Sequence, residues 1–321
     1  MTSPKLRIAG LLAAAAIAVG ACGNTTVTPP PTHTPNPTPV VTPTPSPAPT
    51  ATPTPAPTQL FVASLPADQL VAAGTLTVCS DVTNTPQEFL DSSGNPTGSD
   101  MDLAAGIATR LGLKLSVQNT TSDKILAALA AGQCDIGISA QIITPAELAK
   151  VDMIPYLQAG QTFVVAKGNP TGIKTTYDLC KKAVGVTKGS PEANHLNGVS
   201  PYTPARGLNA NCQGAHLNPI TVRTYSKDSD ALAALTAGKV VAFFTGSPIA
   251  GYDVVSQPDQ LDLVPGLVLD SATEGISLTK NKNDLYAAVR LALQSMIDDG
   301  TYLKILTKYG VEAGAVASTI S

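Results

Sequence analysis

Two stretches of the chain carry the same alternation of apolar and polar positions. Ser122 to Ala140 reads SDKILAALAAGQCDIGISA, and Ser229 to Ser247 reads SDALAALTAGKVVAFFTGS. In each, two leucines at helical spacing lie among alanines, Leu126 with Leu129 and Leu232 with Leu235, and they predict a short helix. Each helix is expected to stop at Gly132 or Gly238, because glycine takes the left-handed conformation of a helix C-terminus without strain. The apolar runs that follow, Ile136 to Ile138 and Val240 to Phe244, have the length of buried strands. Strand-like runs also precede each helix, at Leu113 to Val117 and Ile220 to Thr224. Strand, helix, strand, written twice, predicts parallel sheets with covering helices. Two such units far apart predict two similar lobes with a ligand cleft between them.

The rest of the pattern fills in around these repeats. Leu76 to Cys79 predicts a first strand, followed by a polar loop from Asp81 to Glu88 and a turn from Asp91 to Gly98. From Asp100 a helix would carry Leu103, Ile107 and Leu111 on one face, with Asp100 and Asp102 at its positive end. Thr144-Pro145-Ala146-Glu147 has the order of a capping box with proline at the first helical position. Strands are expected at Thr162 to Lys167, Ala183 to Val186 and Ile276 to Leu278. A Gly/Asn-rich loop is expected from Asn197 to Gly214, and amphipathic helices at Leu285 to Ile297 and Tyr302 to Tyr309. Lys188-Gly189-Ser190-Pro191 and Thr245-Gly246-Ser247-Pro248 read as strand-to-helix turns, which present backbone N–H groups and a positive helix end.

The N-terminal sixth of the 321 residues does not fit this pattern. Met1 to Ala21 holds Lys5 and Arg7 and then an apolar segment from Ile8, too short to span a bilayer, which reads as a secretory signal. Val19-Gly20-Ala21-Cys22 resembles the lipobox of bacterial lipoproteins, which implies lipidation of Cys22. Residues 22–59 then form a linker whose Thr/Pro tract, Thr25 to Thr58, cannot bury a core. At about 3 Å per residue it would reach roughly 100 Å when fully stretched. His33 in this tract is read as incidental. A net charge of -3 and the absence of tryptophan argue against a nucleic-acid partner.

Setting Cys22 aside leaves Cys79, Cys134, Cys180 and Cys212, an even number in an exported domain, and predicts two disulfides with three possible pairings. Only Cys79–Cys134 with Cys180–Cys212 keeps each bridge inside one expected lobe; the other pairings would tie the lobes together. Of these two, Cys79–Cys134 is the harder to reach, since Cys79 lies late in its strand and Cys134 ahead of its own. No cysteine or histidine spacing suggests a metal, and no cofactor is expected.

LTVCSDVTNTPQEF, GSDMDLAAGIATRLGL, ILAALAAGQCDIGISAQIITP, DMIPYLQAGQTFVVAKGNP, KKAVGVTKGSPEA, VAFFTGSPIAGY and EGISLTK occur in that order. Together they resemble the family 3 extracellular solute-binding proteins, receptors of ABC importers for polar amino acids and related solutes. The resemblance runs from Leu76 to Gly310. It implies an α/β, two-lobed type II periplasmic-binding fold with two mostly parallel sheets joined by two crossing strands. Lobe 1 would comprise residues 60–164 and 275–321, and lobe 2 residues 165–274. It further implies a monomer held by lipid at the outer face of a bacterial membrane, which captures a small polar solute by hinge closure and delivers it to permease subunits.

Carried over residue by residue, the resemblance puts ligand contacts at Asp81, Asn84, Gln87, Ser139, Ala140, Gln141, Glu147, Lys188, Ser190, Thr245 and Ser247. Several depart from the family's pattern. Asn84 stands where many members have an aromatic, and Ile142 where a threonine is common. Glu147 replaces the arginine that grips an α-carboxylate, and Gly246 replaces the aspartate that grips an α-ammonium. Losing that arginine removes a bidentate charge-assisted contact, and an anionic Glu147 would repel a carboxylate. Each position also has a purely structural reading. Glu147, Ser190 and Ser247 can be helix caps, Lys188 a solvated lysine, and Asp81, Gln87 and Gln141 loop hydrogen-bonders. Dehydratases of prephenate or arogenate share the fold, yet His195 and His216 lie in or near the loop-rich second-lobe segment and no nucleophile–base pair is evident. A sensory or adhesive surface lipoprotein without ligand is the third reading.

Overall fold

The run at Leu76 to Cys79 becomes β1 (Thr75–Ser80), which is buried because its apolar side chains meet helices on one face and a disulfide on the other. The computed structural model describes residues 65–199, 201 and 206–319, all within one compact unit. The signal segment, Cys22, the Thr/Pro tract and His33 lie outside the described residues.

After β1 the polar loop folds into a small antiparallel sheet of β2 (Thr83–Asn84), β3 (Glu88–Leu90) and β4 (Pro96–Thr97). Next come α1 (Ser99–Arg110), β5 (Lys114–Asn119), α2 (Ile125–Ala130), β6 (Ile136–Gly137), α3 (Pro145–Leu148) and the long β7 (Val151–Ala166). The second half holds β8 (Ala183–Thr187), α4 (Pro191–Asn197), α5 (Leu208–Gly214), β9 (Thr221–Tyr225) and α6 (Asp228–Thr236). It continues with β10 (Ala242–Gly246), α7 (Ser247–Ser256) and β11 (Leu261–Leu263). The chain returns through β12 (Leu269–Thr279) to α8 (Asn283–Asp298) and α9 (Thr301–Lys308).

One hydrogen-bonded path runs β5-β1-β6-β12-β7-β10-β8-β9, with β11 paired to β7. Parallel trios form its two ends, β5-β1-β6 and β9-β8-β10. Antiparallel β7 and β12 join them, so the two expected sheets meet in a single path. The strands expected at Thr162 to Lys167 and Ile276 to Leu278 are only the ends of these two connectors. Polar residues such as Asp152, Gln158 and Gln161 interrupt the apolar run of β7, which hides its 16-residue length from a periodicity reading.

Both repeats form their helices, and both end at a left-handed glycine, Gly132 at φ 67° and Gly238 at φ 68°. In each half the sheet is covered on both faces, as parallel strands require. Leu76, Leu103, Ile107, Leu293 and Tyr302 form the core under α1, α8 and α9, while Ile125, Leu129 and Met153 pack on the opposite face. In the second half the alternation along β10 sends Phe244 to one face, stacked 4.2 Å from Phe163, and Phe243 to the other with Leu235.

The bridge that looked hard to reach is formed. β1 and β6 are neighbours, with Cys79 opposite Gly137, so a short return from α2 brings Cys134 within 5.8 Å Cα–Cα of Cys79. Cys180 and Cys212 are joined at 5.7 Å. The segment expected to be loop from Asn197 to Gly214 contains α5, a correction with a clear cause. Leu208 and Cys212 are one helical turn apart and both buried, and the intervening asparagines concealed them. Helix α1 ends at Arg110, so Leu111 is its C-cap rather than a member of its face.

Candidate functional site

At the C-terminal ends of β1 and β6 the chain turns outward, and the loops there enclose an open cavity of about 620 Å³. Asp81, Asn84, Ser139, Ala140, Gln141 and Glu147 line it, together with Glu88 and Ile142. Three carboxyl groups, Asp81, Glu88 and Glu147, therefore border it, and among the described residues no lysine, arginine or histidine does. A smaller hollow of about 240 Å³ against Pro248, Pro265 and Val268 is mostly apolar, with Gln158, Thr162 and Ser247 as its polar side chains.

Each lining residue is held by its own contacts. Asp81 accepts from the Thr83 hydroxyl at 2.7 Å and from both the N–H and hydroxyl of Ser122 at 3.0 Å. These bonds, the one from Thr83 first, hold its carboxyl below the usual range. Asn84 donates to Glu88 Oε1 at 3.2 Å, and the Ser139 hydroxyl donates to the same oxygen at 3.0 Å. Gln141 turns its Oε1 to the Ser277 hydroxyl at 2.6 Å. The Thr144 hydroxyl accepts from Glu147 N–H at 3.2 Å and donates to the Glu147 carboxylate, so Glu147 belongs to the helix cap and to the cavity wall at once. The expected return bond from Glu147 to the Thr144 backbone is replaced by this hydroxyl contact.

Gln87 is turned inward, away from the lining. It is buried and donates to Glu274 Oε2 on β12 at 2.6 Å. The second-half residues do not reach the cavity either. Lys188 is exposed, and Ser190 caps α4 by accepting from Ala193 N–H at 3.2 Å. Thr245 is buried in β10, and Ser247 accepts from Gly160 N–H at 3.0 Å, tying α7 to β7.

Reading the sequence missed a buried acid cluster behind this wall. Asp100, expected to serve the positive end of α1, is 0% exposed. Its Oδ2 accepts from the Tyr156 hydroxyl at 2.8 Å and from Ala140 N–H at 3.2 Å. Ala140 presents that N–H from a left-handed turn at φ 49°. Glu88 is 1% exposed and Glu274 3%. Among the described residues no lysine, arginine or histidine pairs with any of the three. Burial and then the nearby Asp100 charge raise the Glu88 carboxyl far above its ordinary range, and the same two causes push Glu274 to about 8. Burial likewise raises Asp100. Glu88 and Asp100 stood in stretches quoted for the resemblance, but no pattern in those stretches distinguishes a dry carboxyl from a solvated one.

Neither of the two described histidines lines the cavity. His195 is buried in the second half, with Nδ1 2.6 Å from Gln161 Oε1 and 3.1 Å from Asp270, and burial lowers its pKa. His216 is exposed on the turn after α5. Among the described residues no cluster of three or more histidine, cysteine or acidic side chains is arranged to hold a metal ion.

The family described as bacterial extracellular solute-binding proteins, family 3, matches residues 76–312. The arginine-binding protein ArgT of Corynebacterium glutamicum is 28% identical over 79% of this chain and 80% of its own. The L-cystine-binding protein TcyJ of Escherichia coli K12 is 31% identical over 74% of this chain and 82% of its own. A solved structure of an ancestral cationic amino acid solute binding protein, AncCDT-1, is 31% identical with a TM-score of 0.62, covering 76% of this chain and 98% of that one. The fold shared with such structures is the type II periplasmic-binding fold.

Proposed function

Because the chain belongs to the family 3 bacterial extracellular solute-binding proteins, we propose that it is the receptor lipoprotein of an ABC importer and that its solute is a small amine or guanidine cation. The observation that carries the choice of solute is the cavity wall, where Asp81, Glu88 and Glu147 stand with no lysine, arginine or histidine among the described residues beside them. A partly dry wall of carboxyl groups attracts positive charge and repels a carboxylate. Asn84, Ser139 and Gln141 add amide and hydroxyl groups that orient a donor-rich ligand. Glu147, which is anionic where the resemblance calls for arginine, removes the contact an α-carboxylate would use.

The solute would be taken up on this wall and enclosed when the second half swings over it. β7 and β12, the antiparallel connectors, would serve as the hinge. Lipid on Cys22 and the Thr/Pro tract would hold the receptor at the outer face of the membrane beside its permease. Neither His195 nor His216 is available to the cavity as a catalytic base, which favours a receptor over a dehydratase.

A second reading, a cationic α-amino acid, is favoured by the names of two relatives, which refer to arginine and to cationic amino acids. Its carboxylate would then have to reach Lys188 or the Ser190 turn in the second half. A thermal-shift screen over amines, guanidines, amino acids and amides decides between these readings. A ligand at a hundred times its dissociation constant stabilises by about 2.7 kcal/mol. Stabilisation by glutamate or glutamine, with none by amines, would overturn the proposal. The anchor is tested separately: Cys22→Ser should release the protein from membranes, and unchanged fractionation would contradict it.

A further inference from the structure

Glu88 and Asp100 have complementary vacancies. One oxygen of each is fully engaged, Glu88 Oε1 by Asn84 and Ser139, and Asp100 Oδ2 by Tyr156 and Ala140. The other oxygens, Glu88 Oε2 and Asp100 Oδ1, are buried with no N–H or hydroxyl donor. The two side chains are held side by side, Glu88 by the Ser139 hydroxyl and Asp100 by the N–H of the next residue, Ala140, and Glu88 is also part of the cavity wall. Two charged carboxylates in a site without a counter-cation are not sustainable, and the ordinary resolution is a single proton held between them.

Among the described residues, the groups packed around this pair supply no other neutralising charge. From β7 comes the Tyr156 hydroxyl, and from β12 comes Glu274, itself an acid bound to Gln87. The loop after β6 supplies the Ser139 hydroxyl and the Ala140 N–H, and β2 supplies Asn84. Asp81, farther along the wall, is kept ionised by Thr83 and Ser122 and has no proton to give.

We infer that Glu88 and Asp100 share one proton across their two donor-free oxygens while the cavity is empty, and that a cationic solute entering the cavity displaces this proton into solvent. The inference rests on the reading of the solute as a cation. Glu88 is the group that ionises. It leaves the exchange as a carboxylate still held by Asn84 and Ser139, its O–H bond broken and the proton passed to water. The cation supplies the charge that the proton had supplied. Capture is thereby an exchange of one positive charge for another in a dry wall, and its strength depends on pH.

Agmatine is the probe, a guanidine and an amine with no carboxylate. Its alkyl ammonium, with a pKa of about 10, stays charged through pH 8. Titration calorimetry on the full chain, in buffers of different ionisation enthalpy, should give about one proton released per agmatine bound. The association constant should rise close to tenfold per pH unit between pH 6 and 8. Glu88→Gln should bind more weakly at pH 8, release no proton and show no pH dependence. Agmatine binding with the same enthalpy in every buffer would overturn the inference and leave the proposed function standing. Release that persists in Glu88→Gln would overturn the assignment to Glu88. Absence of agmatine binding, with binding of a neutral or zwitterionic solute, would overturn the proposed function and this inference with it. Should Glu88→Gln fold poorly, the wild-type buffer series decides the proton count alone.

Discussion

In the first repeat the chain leaves the sheet at Ser139, Ala140 and Gln141 and turns those groups toward a cavity; in the second it leaves at Thr245, Gly246 and Ser247 and turns them toward the molecule itself. The scaffolds are otherwise the same. Each places the second and third strands of its parallel trio on either side of the first, β5-β1-β6 and β9-β8-β10, and each ends its helix at a left-handed glycine. Each also carries one disulfide. The difference lies in what the strand ends carry, and it shows that topology supplies the place for a site without supplying its chemistry. The first half gathers buried acids behind its wall, while the second spends its hydroxyls on caps and on the β7 connector.

If the halves are equivalent scaffolds, their bridges should matter about equally. The Cys79–Cys134 bridge closes a separation of 55 residues and Cys180–Cys212 one of 32. In the chain-entropy picture each contributes about 4 kcal/mol. Replacing either pair with alanine should lower the unfolding free energy by that order in chemical denaturation. A large loss from one pair and none from the other would break the symmetry.

The halves should separate in their response to pH. The Glu274 carboxyl in the folded protein is raised to about 8, so the native state keeps a proton that the unfolded chain has already lost above about pH 4.5. The native state then binds more protons, and stability falls as pH rises from about 4.5 to 8, by at most about 1.4 kcal/mol per unit from this group. In the second half Asp253 is raised only to about 6, by burial and then by Asp228, so its contribution is complete by then. Glu274→Gln should make the decline between pH 6 and 8 shallower by up to about 1.4 kcal/mol per unit, and Asp253→Asn only the decline below 6. Denaturation at pH 5, 6 and 8 checks both.

Smaller effects sharpen the contrast further. Glu147→Gln keeps the Thr144 contact and loses the charge, so it should weaken binding of a cationic solute by about 1–2 kcal/mol and leave stability nearly unchanged. Ser247→Ala should do the reverse. It removes the acceptor for Gly160 N–H, costs about 1 kcal/mol of stability, and leaves affinity where it was. Calorimetry and denaturation on the two variants would show the exchange of roles, or its absence.

Much of the scaffold was legible because its signals are local. Paired leucines, stopping glycines and the Thr144-Pro145 start each declare an element within a few residues. Of the positions the resemblance singled out, Asp81, Asn84, Ser139, Ala140, Gln141 and Glu147 line the cavity. The two connectors were expected through the resemblance, but their full length was not, because polar residues along β7 break its apolar run where it crosses between the halves. Nor was the acid cluster. Glu88 and Asp100 lie on separate elements and Glu274 far along the chain, they meet only when β3, α1 and β12 converge, and a charged letter carries no mark of the water it will lose.

On the proposed reading, the first-half wall selects positive charge and rejects the α-carboxylate of an amino acid. Agmatine and arginine differ by that one carboxylate, so titrating both into the same preparation at pH 8 tests the claim directly. Agmatine should bind at least 100-fold more tightly, about 2.7 kcal/mol. Arginine binding as tightly as agmatine, or more so, would contradict the account.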